Sequence, residues 1–536
     1  MVFKAGSNNV IFACTMNEFW KSTDVGETWT KINLPGNGIE EGGRVAVTKA
    51  NPEIVYLTYV GKFTNGTSTP VLKSTDGGNS FTVVKAAGGI NLNGYDGNSH
   101  GQGNYNYAMS VSPKDPNLLF VVGHIIWRST DGGVSWTSMS HDWAHQVHTD
   151  MRQVPFSPYV DEELYNINDG GIWRSWDNGK SWLPICNGLV GTESYIGCQS
   201  PVKKESISIG AQDNGEFLYR DGIWYINGAG DYHDNIIHDN LSADYYYNLA
   251  GTGRRRSLPS GGSTSLNLPF DAGNGQKVFA DFPLSNTQTA YIGYREVYRS
   301  TNISNNPPTW TQITSFNTQV KAIASSPNDA NVVYVVTEDN KIRRSDNALS
   351  GAPTWNTYTT PASTNVTASV VVMKNNTNVV YLVCNNKVYR STNKGENWTD
   401  ITSNLPGVNY HKILHDVYSN NEAVYVAGYN SVFYKDNSMS NWVNYSKGLP
   451  TVANFHRIYM YNDGTENSEL TIITAGRGVW HTGLYGRKPV LREPENPQDV
   501  IPGIVYNYYE GSWDYLPNYN SLNPVKTSWT SIPDLT

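Results

Sequence analysis

The sequence predicts an all-β protein, a β-propeller of about ten four-stranded blades, and three observations predict it. Charge is scarce: 39 Lys+Arg and 47 Asp+Glu make 16% of 536 residues, against roughly 25% in soluble domains. Aromatic residues reach 12%, and 49 Gly and 26 Pro supply turns at a density that suits short strands better than long helices. The third observation sets the architecture, because one turn motif returns along most of the chain.

The motif reads Ser22-Thr-Asp24-Val-Gly26-Glu-Thr-Trp29, and returns at Ser74 to Phe81, Ser129 to Trp136, Ser175 to Trp182 and Ser391 to Trp398. Looser copies run from Ser300 to Trp310, Ser345 to Trp355 and Lys435 to Trp442. The spacing of roughly 45 to 55 residues is that of a four-stranded blade. In each copy the Asp carboxylate can accept backbone N–H bonds within a turn, Gly can take positive φ, and the Trp returns into the next strand to cover the blade edge. An alternating segment such as Ile125–Arg128 or Lys387–Arg390 precedes the motif. Before that comes an Asn/Pro turn with an apolar run, as at 116–120 and 376–381, so that turn, strand, strand, Asp motif and Trp strand make one blade.

These residues resemble the BNR or Asp-box repeat, and the resemblance covers roughly residues 1–486. It places the chain beside sortilin-type domains and the xyloglucanase-type glycoside hydrolases of family 74. It implies that the box aspartates sit on the outer rim, away from any ligand. Between Trp182 and Ser300 the motif degenerates: Tyr219 to Trp224 reads as a shortened hairpin, and Tyr245 to Gly253 as a strand pair without its box. Counting these gives about ten or eleven units, either one large ring or two packed rings of which the first is truncated. Two rings are favoured slightly, with the crossing within 183–300. Residues 487–502 are Pro-rich and charged and read as a semi-rigid linker. Residues 503–536 are similar to the opening of a PA14 domain, which implies a fragment of a longer multidomain chain.

Several classes are excluded. Mean hydropathy is −0.47 with no apolar run of about 18 residues, so no membrane-spanning helix is expected. A net charge of −8 disfavours nucleic-acid and anionic-membrane partners. The residues from Met1 carry no signal peptide, and the extracellular or cell-surface location is what the resemblance implies. Cys186 and Cys198 lie close enough in sequence to bridge a loop under oxidising conditions; no CxxC or metal-ligand spacing occurs, and no cofactor is expected.

Candidate chemistry gathers between residues 141 and 240, where the repeat breaks. His145, His148, Asp150 and Arg152 form one stretch; Asn168-Asp169-Gly-Gly171, Gln212-Asp213-Asn-Gly215 and Gly230-Asp231-Tyr-His233-Asp234 follow. His148-Thr-Asp150-Met-Arg152 resembles the H-x-D-x-H pattern of secreted Asp-box propellers but has Arg152 at the last position, which weakens a zinc site on His145, His148 and Asp150, and no metal is assigned. On a strand, His148 and Asp150 would face the same side and form a hydrogen-bonded pair. Asp169 and Asp213 fit tight turns equally well. The xyloglucanase resemblance implies an inverting mechanism with two carboxylates. It points to Asp231 as acid, with Asp150 or Asp213 as substitutes for a base that cannot be placed.

A sialidase reading would use Arg254, Arg255 and Arg256, but three adjacent arginines cannot all point inward from one strand. Binding of a carbohydrate or a protein without catalysis, as in an adhesion propeller, is the rival reading. The Gly/Asn/Tyr-rich stretch 91–107, with Tyr95 and Tyr105, is of the kind that lines grooves, and low charge suits a neutral polysaccharide or other glycan partner.

Overall fold

The computed structural model describes residues 1–35, 41–60, 69–86, 88–94, 102–103, 105–139, 147–189, 191–227, 230–231, 235–236, 245–248, 253–257, 263–269, 279–450, 454–487, 504–511, 519 and 522–530. It is an all-β propeller. Among the described residues of unit 1–487, ten four-stranded antiparallel sheets follow one another as simple meanders, and an eleventh sheet has three strands. We number them as blades: 1 (2–32), 2 (41–85), 3 (108–138), 4 (151–184), 5 (194–227), 6 (235–265), 7 (279–315), 8 (320–359), 9 (368–400), 10 (410–444) and 11 (454–483).

Contacts between blades bear on the choice between one ring and two. Blades 5 to 11 form a closed seven-membered ring in which the innermost strand of blade 5, Ser194–Gln199, packs on the first two strands of blade 11. Ser194 Oγ donates to Thr474 O at 2.6 Å, Gln199 Nε2 donates to Glu469 Oε1 at 3.1 Å, and Glu193 bridges to Ala475. Blades 1 to 4 pack in succession as a separate arc. Blades 5 and 6 lack the repeated motif yet are complete, because other turns suffice: Asp221-Gly222, both at positive φ, join the strands Glu216–Arg220 and Ile223–Asn227.

Each core lies between blades. A run such as Val380–Cys384 is buried at every position because both sheet faces are covered, whereas the outer strand Asn356–Thr359 is mostly exposed. The repeated turn works as its residues require. Ser22 Oγ donates to Asp24 Oδ1, the Gly26 N–H donates to Ser22 Oγ at 2.8 Å, and Thr28 donates to Asp24 through both N–H and Oγ1. The Thr28 hydroxyl, then the Thr28 N–H and the Ser22 hydroxyl, hold the Asp24 carboxyl down at about 2. Asp76 is lowered in the same way, first by Ser80.

None of the four cysteines is in a disulfide. The Cys186–Cys198 bridge does not form, because Cys186 Sγ sits against the backbone of Gly170 and Ile172 while Cys198 is buried in blade 5 beside Leu218. Among the described residues no helix is long and apolar enough to cross a membrane. The chain divides into two compact units, 1–487 and 488–536. In the second, Ile504–Tyr508 pairs with Lys526–Thr530.

Ring closure makes a testable point of Gly197. A Cβ there would lie 2.4 Å from Ile473 Cδ1 of blade 11 and 2.6 Å from the Ser208 carbonyl oxygen. Gly197→Ala is expected to lower stability by about 1–3 kcal/mol, the cost of overpacking, and chemical denaturation measures it. An unchanged midpoint would mean that the blade 5 to blade 11 contact does not close the ring.

Candidate active site

In an antiparallel meander the turn after strand two and the link out of strand four lie at the same end of the sheet. The Asp-motif turns, between strands three and four, lie at the opposite end. The described candidate residues fall at the first end. Tyr105 is in the link from blade 2 to 3; His148 and Asp150 are in the link from 3 to 4; Asp231 is in the link from 5 to 6. Asp169 and Asp213 occupy the second turns of blades 4 and 5, and Arg152 is on the first strand of blade 4.

They converge where blade 4 of the arc meets blade 5 of the ring. His148 Nε2 lies 3.2 Å from Asp213 O, Asn214 Nδ2 donates to Asp169 O at 3.1 Å, and the Asp213 N–H donates to Asp231 Oδ1 at 3.0 Å. Gly170 is required here, since a Cβ would lie 2.4 Å from that of His148. Arg152 donates twice to Asp169 Oδ1, at 3.1 and 2.8 Å, and its guanidinium lies 3.7 Å from the ring centroid of Tyr105. Tyr105 is 64% exposed. His145 and Tyr95 lie outside the described residues, as do the side chains of Arg254, Arg255 and Arg256.

Asp150 is buried, and it does not pair with His148 as a strand would have required. Residues 147–150 form a bend, and Asp150 has φ +64°, which destroys the two-residue alternation. Its Oδ1 instead meets His124 Nδ1 at 2.5 Å and accepts from Asn106 Nδ2 at 3.0 Å. Burial opposes ionisation of Asp150, but the His124 hydrogen bond, the His124 and His148 rings and the Asn106 amide outweigh it and leave its pKa below the usual value.

Asp213 goes the other way. Burial raises its pKa first, and the charges of Asp231, Asp169 and Asp150 add to that, with only His148 opposing. Among the described residues nothing donates a hydrogen bond to its carboxylate. Its backbone, at φ +56°, is also in the left-handed region. Tyr195, on the first strand of blade 5, stands beside Asp231 and Asp213; burial and those two charges push its phenol to about 12.

No protein-family model matches this sequence, and no curated protein does. Among solved structures, an ancestral GH74 enzyme matches with a TM-score of 0.63 at 15% identity, over 91% of this chain and 78% of that one. In fold, the chain is similar to a GH74 enzyme. The GH74 enzyme of Niastella koreensis (17% identity, 90% of this chain and 78% of that one, TM-score 0.28) and the GH74 xyloglucanase from Xanthomonas campestris (15%, 93% and 81%, TM-score 0.29) also match. The fold statement rests on the first.

Within this GH74-like fold, the sequence reading missed His124, Asn106 and Tyr195. His124 had a legible signal. It follows Val121-Val122-Gly123 in the second turn of blade 3, the place that Asp169 and Asp213 hold in blades 4 and 5. The arrangement offers one carboxyl biased toward its protonated form, one exposed carboxylate touching its loop, and one buried carboxylate held ionised. That is the inventory of general acid–base chemistry.

Proposed function

We propose that the chain is an extracellular glycoside hydrolase that cleaves a neutral polysaccharide with inversion. The observation that supports it is the Asp213 carboxyl, raised by burial and by three neighbouring carboxylates at the junction of arc and ring. Asp213 serves as general acid, protonating the departing glycosidic oxygen, and the exposed Asp231 as the base that takes a proton from the attacking water. An inverting pair needs its carboxyl groups about 6.5–9.5 Å apart with that water between them. This assignment prefers Asp213 over Asp231 as the acid, because Asp213 is the group whose surroundings favour the proton. Asp150, fixed by His124 and Asn106, supplies a constant negative charge for the positively charged transition state.

The test is a reducing-sugar assay over soluble β-glucans, with NMR of the first anomer released. Cleavage with inversion is expected; no cleavage of any polymer would sink the reading.

A second reading, binding without catalysis, is favoured by Tyr105, whose exposed ring is braced from one side by Arg152 and so offers a fixed platform for a sugar. Under either reading Tyr105→Ala is expected to weaken glycan affinity by about 1 kcal/mol, roughly fivefold. Affinity electrophoresis measures it, and unchanged retardation would remove Tyr105 from the binding surface.

A further inference from the structure

Among the described residues, blade 11 differs from the other ten blades in having three strands. Among the described residues nothing pairs with the outer edge of its last strand, Val479–Gly483. The chain leaves that strand sideways. Tyr485 stacks on Tyr434 of blade 10 at 4.1 Å between centroids, and Arg487 Nη2 donates to both Asp416 carboxylate oxygens at 3.0 and 2.9 Å.

Beside this edge lies a cavity of ≈ 200 Å³ between blades 10 and 11, and one blade earlier the corresponding space is filled. There Trp442, 3% exposed, packs among Val388, Ile401, Leu405, Val424, Val426 and Phe433. The cavity is lined by Val432, Tyr445, Leu449, Leu470, Ile472 and Trp480, which are the same positions moved on by one blade. Two independent registers establish the correspondence. Val426 pairs with Phe433 as Ile472 pairs with Trp480. The Ile401 N–H donates to Val388 O as the Tyr445 N–H donates to Val432 O, at 2.9 and 2.8 Å. Trp442 Nε1 donates to Ile401 O at 2.8 Å, so the carbonyl of Tyr445 stands where an incoming indole would look for its acceptor. Lys447 and His481 on the rim suit an acidic residue ahead of the indole, as Asp436 precedes Trp442 in blade 10.

We propose that this socket and the adjoining strand edge form a docking site for an extended, tryptophan-bearing peptide segment of a different polypeptide, not of a second copy of this chain. That segment adds as the fourth strand of blade 11 and seats its indole in the cavity. Strand addition supplies main-chain hydrogen bonds, and the pocket supplies specificity.

The test uses the full chain and a labelled peptide of residues 436–446, which carries Trp442 on its own outer strand. Fluorescence anisotropy is expected to show saturable binding, about 30-fold weaker for the peptide with Ala at the Trp position, as for an aromatic anchor. Leu449→Trp, which plugs the socket, and Trp480→Ala, which removes its wall, are each expected to abolish the preference for the Trp peptide in a protein that still unfolds in one cooperative transition. Equal affinity for the two peptides, or no binding at millimolar concentration, would overturn the proposal. So would self-association of the protein that Leu449→Trp prevents while no peptide binds, since that result gives the site to a second copy of the chain.

Discussion

Replacing Asp213 by Asn is expected to lower kcat on the polysaccharide by about 10²–10⁴-fold, the usual worth of a general acid, while leaving the protein as stable as before or more so. The two effects have one cause. Burial and the charges of Asp231, Asp169 and Asp150 raise the pKa of Asp213. A carboxyl whose folded pKa exceeds its unfolded value of about 3.9 opposes folding once it ionises. That penalty is absent below the unfolded value, grows as pH rises through the folded pKa, and is complete above it. Asn carries no charge, so the variant's gain in unfolding midpoint should appear near neutral pH and vanish at about pH 3. Wild-type activity, which needs the protonated acid, should fall as pH rises through the raised pKa, and the variant should lose that limb. Full activity in the Asn variant would remove Asp213 from the mechanism. Activity lost together with the fold would make its role structural.

The contrast between Asp213 and the motif aspartates was partly legible in the sequence. Asp24 and Asp76 stand in a repeated pattern whose Ser, Thr and Gly neighbours are the donors of a closed turn, so their low pKa values serve the turn. Asp213 stands where the pattern is broken, and the meander rule puts such breaks at the far end of the blades. The pairing of Asp150 was not legible. It depends on a left-handed backbone at Asp150, and although His124 stands out as a polar residue in an apolar hairpin, nothing local joins it to Asp150, 26 residues later. Closure of the seven-blade ring was equally hidden, because it joins Ser194 to Thr474 across 280 residues and no local pattern announces it.

The repeat itself carries the second large effect. Trp442→Ala is expected to destabilise the protein by about 3–5 kcal/mol, the range for truncating a buried Trp. Its indole lies between blades 9 and 10 rather than within one sheet, so its loss opens a cavity between two blades. It also strips the part-buried Ile401 O of a donor. The backbone of Trp442 is clasped at the same point, its N–H donating to Asn404 Oδ1 at 2.8 Å and its carbonyl accepting from Asn404 Nδ2 at 3.0 Å, so the site cannot easily collapse onto the void. A poorly collapsing site sits at the upper end of the range. Trp480 provides the comparison. It is 38% exposed and borders space that is already open, so Trp480→Ala should cost under about 1 kcal/mol. Urea denaturation of the two variants side by side decides the point. Equal losses would mean that the repeat tryptophan works as a surface cover, and the wedge between blades would have to be sought in the apolar strands alone.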